Sequence, residues 1–319
     1  MRVLPLLVVV LAPLVASPPP VARVTQIRIP LWMEAKAPAA DDPPGNDLSP
    51  TDFHATIDGV ASRILSVKCP DDDLIILLVL DLSSGDLTLA DPAKDALAAE
   101  IQKLKPRADV GLLRAQDGLH VLLDPTADRD AAIQAIEQQT FSGKAGLLAT
   151  VDTMGRIADA MLGKSPVRVA IIYITDGDVR NYREDFTNPV INSSDSHDLS
   201  RRFPETLVQE KISKLNAALA MQQTPLFIVG LSWRGDRLNE AYQNGMKELA
   251  ETTGGGAFFS RSTTEIPAAI QESFRTAVSH YSLTLALPER VSDRPQIRVT
   301  VPENGRGMSY RSRLVLHKR

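Results

Sequence analysis

The feature that most constrains this chain is the continuous apolar run Leu74–Leu80, bounded by Asp71-Asp72-Asp73 on one side and Asp81 on the other. So short a run with no polar alternation reads as a strand buried on both faces, which is the situation of a central strand in a parallel sheet. A second strand of the same kind, Val167–Ile174, ends at Thr175-Asp176-Gly177. The sequence around them alternates between strand and helix signals. Asp91 and Pro92 read as a helix N-cap and first helical residue, followed by Leu97, Ile101 and Leu104 at helical spacing. Val110–Arg114 and Leu119–Leu123 read as strands joined by the turn Gln116-Asp117-Gly118, which puts one antiparallel edge beside the parallel strands. Ala131–Gln138 is a short helix, and Leu147, Val151, Met154, Ala158 and Met161 mark a longer amphipathic one. Val208–Leu219, Leu238–Leu249 and Ile266–Val278 carry helical periods, with strands at Leu226–Leu231 and Ala257–Ser260 between them. This alternation predicts a doubly wound α/β fold around a mostly parallel six-stranded sheet. In such sheets ligands bind beyond the carboxyl ends of the strands, where strand order reverses. Asp81 and Asp176 converge there if their strands are neighbours.

The flanks differ from this core. Val24–Trp32 alternates like a strand, Ala37–Pro50 is a loop rich in Pro, Asp and Gly, and Phe53–Val67 reads as short strands with a hairpin at Asp58-Gly59. Tyr281–Leu287, Ile297–Val301 and Tyr310–Leu316 alternate again, so the two ends together predict a small β module. At the start, Arg2, the apolar stretch Leu4–Val15 and the small residues Ala16 and Ser17 have the pattern of an export signal. A retained N-terminal anchor is the alternative reading. The predicted division is 1–17 signal, 18–70 N-terminal β segment, 71–280 α/β domain and 281–319 C-terminal β segment. The one cysteine, Cys69, excludes an internal disulfide and reads as a tolerated thiol or an intermolecular bridge. A net charge of −4 with no basic stripe argues against nucleic acid as a partner.

On its order of elements, Leu74–Tyr281 resembles a von Willebrand factor type A domain. The wider chain is similar to bacterial exported proteins described as von Willebrand type A-related, which carry a phrase matched here by Asp52-Phe53 and Asp58-Gly59 before the domain, and a β tail after it. The resemblance implies sheet order 3-2-1-4-5-6. It also implies a metal-ion-dependent adhesion site built from an Asp-x-Ser-x-Ser loop, a threonine from a second loop and an aspartate from a third, holding a divalent cation such as Mg²⁺ or Ca²⁺ through oxygen ligands. Asp81, Ser83 and Asp176 match that set. Gly85 stands in place of the second serine and Ala145, beside Lys144, in place of the threonine, so the implied site is degenerate.

Other chemistries lack their signatures. Ser83-Ser84-Gly85 is not a dinucleotide-binding glycine loop, and no Walker A or nucleophile-elbow phrase is present. The histidines His54, His120, His197, His280 and His317 show no metal-ligand spacing. The polar segment 178–204 is long for a loop inside a domain and reads as functional or mobile. The expected function is a non-enzymatic, exported (periplasmic or secreted) binding or scaffold module with a protein partner on the face near Asp81, Ser83 and Asp176. A metal-independent structural component of a cell-envelope assembly and a metal-assisted hydrolase are the alternatives.

Overall fold

In the computed structural model, residues 26–34, 48–83, 87–140, 142–184, 186, 204–301 and 307–316 are described. Strand β1 (Gln26–Met33) leads to the hairpin β2 (His54–Ile57) and β3 (Val60–Ser62), then to β4 (Ile64–Lys68). The central stretch runs β5 (Leu74–Asp81), α1 (Ala90–Gln102), β6 (Ala108–Arg114), β7 (His120–Thr126), α2 (Arg129–Glu137), α3 (Leu147–Lys164) and β8 (Arg168–Thr175). It continues with α4 (Pro204–Leu219), β9 (Leu226–Gly230), α5 (Arg237–Thr253), β10 (Gly256–Phe259) and α6 (Ile266–Ser279). The tail adds β11 (Tyr281–Ala286), β12 (Ile297–Thr300) and β13 (Met308–Tyr310).

The large sheet has order β10-β9-β8-β5-β6-β7, which is the implied 3-2-1-4-5-6 when its own strands are counted along the chain. All neighbours are parallel except β6 and β7, the expected antiparallel edge. Period-two alternation divides the central strands between two cores. Leu77 and Val79 of β5 and Val169, Ile171 and Tyr173 of β8 face the layer of α3, α4 and α5. Leu74, Ile76, Leu78 and Leu80 of β5, with Ala170, Ile172 and Ile174 of β8, face α1, α2 and α6. The register is decisive for the site: Leu80 lies opposite Ile174 and Asp81 opposite Thr175, so both strands end level with each other.

The two ends of the chain build the β module together. Strands β13, β1, β11 and β4 form one antiparallel sheet, and β12, β2 and β3 another, around a core of Ile27, Ile29, Phe53, Ile57, Leu283 and Ile297. Asp58 and Gly59 both have positive φ, the backbone a tight hairpin turn demands. The Asp58 carboxylate also accepts from the amides of Ser292 and Gln296, so this turn ties the first half of the module to the last.

Two details differ from the sequence reading. Helix α1 begins at Ala90, with Leu89 rather than Asp91 at the cap, because a 3-10 turn over Leu87–Leu89 runs straight into it and buries Leu89 and Ala90. The last strand is Met308–Tyr310 and does not extend to Leu316. Arg311 leaves the sheet there to donate to the carbonyls of Leu219, Ala220 and Gln222 at the end of α4. The predicted signal at 1–17 and most of the 178–204 segment lie outside the described residues. No helix among the described residues is long and apolar enough to cross a membrane.

The α/β sheet and the β module are joined where β4 enters β5 and where α6 leaves for β11. Arg168, the first residue of β8 and only 1% exposed, serves both crossings. Its guanidinium donates to the carbonyls of Pro70 and Asp72 at the first (2.7 and 2.9 Å) and of Val278 and His280 at the second (both 2.9 Å). Burial lowers its pKa to about 10, so it stays charged at neutral pH, and the end of a helix is where a cation is favoured. Replacing Arg168 with leucine leaves four carbonyls without this donor. At about 1–3 kcal/mol for a buried group left unpaired, the expected loss is several kcal/mol, read as a lower urea midpoint. His280 supplies a pH test. It is buried with Nδ1 2.6 Å from the Ala277 carbonyl, and burial, then the nearby Arg168 charge, pushes its pKa down to about 3. The unfolded chain binds this proton near pH 6.5 and the folded chain does not. His280 therefore contributes stability that is complete above about pH 6.5 and is lost as pH falls toward 3. The variant His280→Gln is expected to flatten that acid limb in urea unfolding measured from pH 7 to 4.

Candidate functional site

The carboxyl ends of β5 and β8 bring Asp81, Ser83 and Asp176 together, as their positions in the sequence predict. All three are buried, Asp81 completely. Ser83 donates to Asp176 Oδ2 from its backbone amide (3.1 Å) and from its hydroxyl. Asn181 donates its side-chain amide to the same oxygen at 3.1 Å, and the Asp178 amide donates to Oδ1 at 3.2 Å. Asp81 faces the other way, onto the start of α3. Its Oδ1 accepts from Gly146 N at 2.6 Å and its Oδ2 from Leu147 N at 3.1 Å, with the Thr175 hydroxyl donating to Oδ2 at 3.2 Å. A carboxylate on free amides at a helix N-terminus is a favourable pairing of charge and dipole.

The loop that delivers those amides is shaped by close approach. A Cβ at Gly146 would sit 1.7 Å from the Ala115 carbonyl, so only glycine lets this chain lie against the end of β6 and present its N–H to Asp81. Ala145, at the position of the implied threonine, is buried and supplies no hydroxyl; its amide donates to the Asn181 carbonyl at 3.0 Å. The hydroxyl that does reach Asp81 is that of Thr175, from the neighbouring strand. Lys144 is exposed, and Gly85 lies outside the described residues.

A second set of groups closes the site from beneath. The next amide of α3, that of Leu148, donates to the Tyr182 hydroxyl at 3.2 Å, and Tyr182 shares a hydrogen bond of 2.7 Å with Tyr242. Three consecutive amides at the start of α3 are thus capped by side chains from β5 and from the segment after β8. Asn181, Tyr182 and Tyr242 were not legible as site residues in the sequence, since tyrosines at helical or loop positions read simply as core. Thr175 was legible in principle: two strands of matching length ending in Asp81 and Thr175-Asp176 place a hydroxyl beside a carboxylate once they pair in parallel.

The rim is charged. Arg180 pairs through both guanidinium nitrogens with Asp236 (3.1 and 2.9 Å), Arg234 with Asp178 (3.2 Å), and Arg183 with Asp117 across to the β6–β7 turn (2.8 Å).

The strand order, with paired carboxylates at its switch point, defines the class: a von Willebrand factor type A-like α/β fold. Some solved structures are similar to the chain at low identity. A von Willebrand factor type A protein from Catenulispora acidiphila is 14% identical with a TM-score of 0.46, over 83% of this chain and 74% of its own. The von Willebrand domain of the type V pilus tip protein Mfa5 from Porphyromonas gingivalis is 15% identical with a TM-score of 0.44, over 64% and 95%. Proximal thread matrix protein 1 from the mussel byssus is 13% identical with a TM-score of 0.45, over 66% of this chain and 49% of its own, so the match spans about half of that protein. No family model matches the chain, and no curated protein matches it. At these values the likeness carries no argument about function or ligands.

Burial, then the neighbouring Asp176 charge, pushes the Asp81 carboxyl up to about 7, against the pull of the amides of Gly146 and Leu147. Burial likewise raises Asp176, against its bonds from Ser83, Asp178 and Asn181. The sign for stability follows. The folded chain holds the Asp81 proton up to about pH 7, whereas the unfolded chain releases it near pH 4. Asp81 therefore contributes stability that is full below about pH 4 and is lost as pH rises through 7. Compared with Asp81→Asn, the native chain is expected to gain stability as pH falls from 7.5 to 4.5; a difference between the two that is independent of pH would contradict this.

Proposed function

We propose that the chain is a protein-binding or scaffold module, exported from the cell, whose face at the carboxyl ends of β5 and β8 takes a protein partner without a resident cation. One observation carries the metal-free reading: every oxygen of both site carboxylates already accepts a hydrogen bond from within the chain. Mg²⁺ and Ca²⁺ take six or more oxygen ligands, waters among them. The Ser83 hydroxyl and the Asn181 side-chain amide both donate to Asp176 Oδ2, so that oxygen is engaged by the chain itself. Among the described residues no group of three or more His, Cys, Asp or Glu side chains is placed to hold a metal. The hydrogen-bonded carboxylates hold α3, the 142–147 loop and the 176–182 segment in one arrangement, which is what a preformed binding face needs.

The partner, in this reading, meets the charged rim of Lys144, Arg180, Arg183 and Arg234 with Asp117, Asp178 and Asp236. Such exposed pairs add little stability but set orientation and association rate.

Calorimetric titration of Mg²⁺, Mn²⁺ and Ca²⁺ into the full chain is expected to give no saturable heat, and the thermal midpoint is expected not to move. Saturable binding that disappears in Asp81→Ala would overturn the metal-free reading. The partner face is tested separately by Lys144→Glu with Arg183→Glu: proteins cross-linked to the native chain in envelope extracts should be lost by this variant, and their retention would place the partner elsewhere.

A further inference from the structure

At the opposite edge of the large sheet lies a recess of about 930 Å³, within the size range of ligand-binding clefts. Its floor is the last turn of α4 (Ala217, Ala220) and of α5 (Glu251, Thr252). Its wall is the tail, with Arg294, Gln296 and residues 309–315, and Trp32 of β1 closes one end. Two arginines on that wall, Arg294 and Arg313, are exposed, and their guanidinium groups have no hydrogen-bond or ion-pair partner among the described residues. They stand on two paired lengths of chain. Leu316 N donates to the Asp293 carbonyl at 2.8 Å, Ile297 N donates to the Ser312 carbonyl at 2.9 Å, and Gln296 bridges Arg313 in antiparallel register. Arg294 and Arg313 are therefore near neighbours across this ladder, at a spacing long side chains span.

The local charge agrees. Among the described residues from 281 to 316, five arginines (Arg290, Arg294, Arg298, Arg311 and Arg313) stand against Glu289 and Asp293, in a chain whose net charge is −4. Helix C-termini disfavour anions, and the structure offsets this at α4, where Arg311 is spent on the terminal carbonyls. That leaves Arg294 and Arg313 for an external group. Guanidinium pairs of this kind suit carboxylates and phosphates.

We propose that this recess binds an extended acidic peptide segment of a partner protein, with its carboxylates on Arg294 and Arg313 and an apolar side chain against Trp32 and Tyr310. Three features favour a peptide over a lipid surface or a polyphosphate. The cations line a concavity. Glu251 faces the same space and repels a uniformly anionic ligand. The hydroxyls of Ser309, Ser312 and Thr252 and the amide of Gln296 supply the neutral hydrogen-bonding groups that a peptide backbone uses. The site is separate from the face at Asp81, so its failure would leave that reading intact.

The test uses two fluorescein-labelled octapeptides of glycine and phenylalanine, one carrying glutamates and the other glutamines in the same positions, titrated with the full chain and followed by anisotropy. The glutamate peptide is expected to bind at least about tenfold more tightly. Arg294→Gln and Arg313→Gln should each weaken it several-fold, with unchanged thermal midpoints because both side chains are exposed. Arg63→Gln, an exposed arginine elsewhere on the β module, should change nothing. In a Trp233→Phe background the remaining emission is that of Trp32, and it should shift on peptide binding. Equal affinity for the two peptides, equal loss in Arg63→Gln, or a silent Trp32 would each overturn the proposal. So would binding to phosphatidylglycerol vesicles, or to inorganic phosphate, that displaces the peptide at lower concentration.

Discussion

A single buried guanidinium ties the α/β sheet to the β module. Arg168 begins β8, the strand that pairs with β5 along its whole length, and spends its donors on carbonyls from both places where the chain passes between the α/β sheet and the β module. Those carbonyls end a helix on one side and a turn on the other, and neither has a strand to bond to. Four carbonyl acceptors offset the desolvation of this buried charge. Arg311 repeats the arrangement at the end of α4, so both ends of the β module are anchored by an arginine on a helix C-terminus.

At the other edge of the sheet the same logic runs with opposite sign. Asp81 lies on the N-terminal amides of α3, where a carboxylate is favoured, and Asp176 gathers the loop after β8. Because the two strands end level, both carboxyls are desolvated side by side; burial raises both, and the neighbouring Asp176 charge raises Asp81 further. The chain meets the cost with its own donors. The result is a face whose ion pairs sit at the rim around two hydrogen-bonded carboxyl groups.

Much of this was legible beforehand because the signals are local. The apolar run Leu74–Leu80, the turn at Gln116-Asp117-Gly118 and the helical periods around Val151 and Phe274 each reflect a burial pattern within a few residues, and the elements formed as those patterns require. The convergence of Asp81 with Asp176 was also readable, since it needs only that two buried strands be neighbours. Helix starts were less so: the 3-10 turn at Leu87–Leu89 displaced the start expected at Asp91, because burial of Leu89 outweighed a good capping residue.

The sequence alone determined the fold class, the flanking β segments and the trio Asp81, Ser83 and Asp176, all of which follow from periodicity and strand ends. What those residues do was decided only by tertiary structure. What a carboxylate faces depends on which donors arrive from distant parts of the chain, and here Gly146, Thr175 and Asn181 arrive from three separate elements. The role of Arg168 was equally invisible, since a charge at the head of an apolar strand has no meaning until the carbonyls around it are in place.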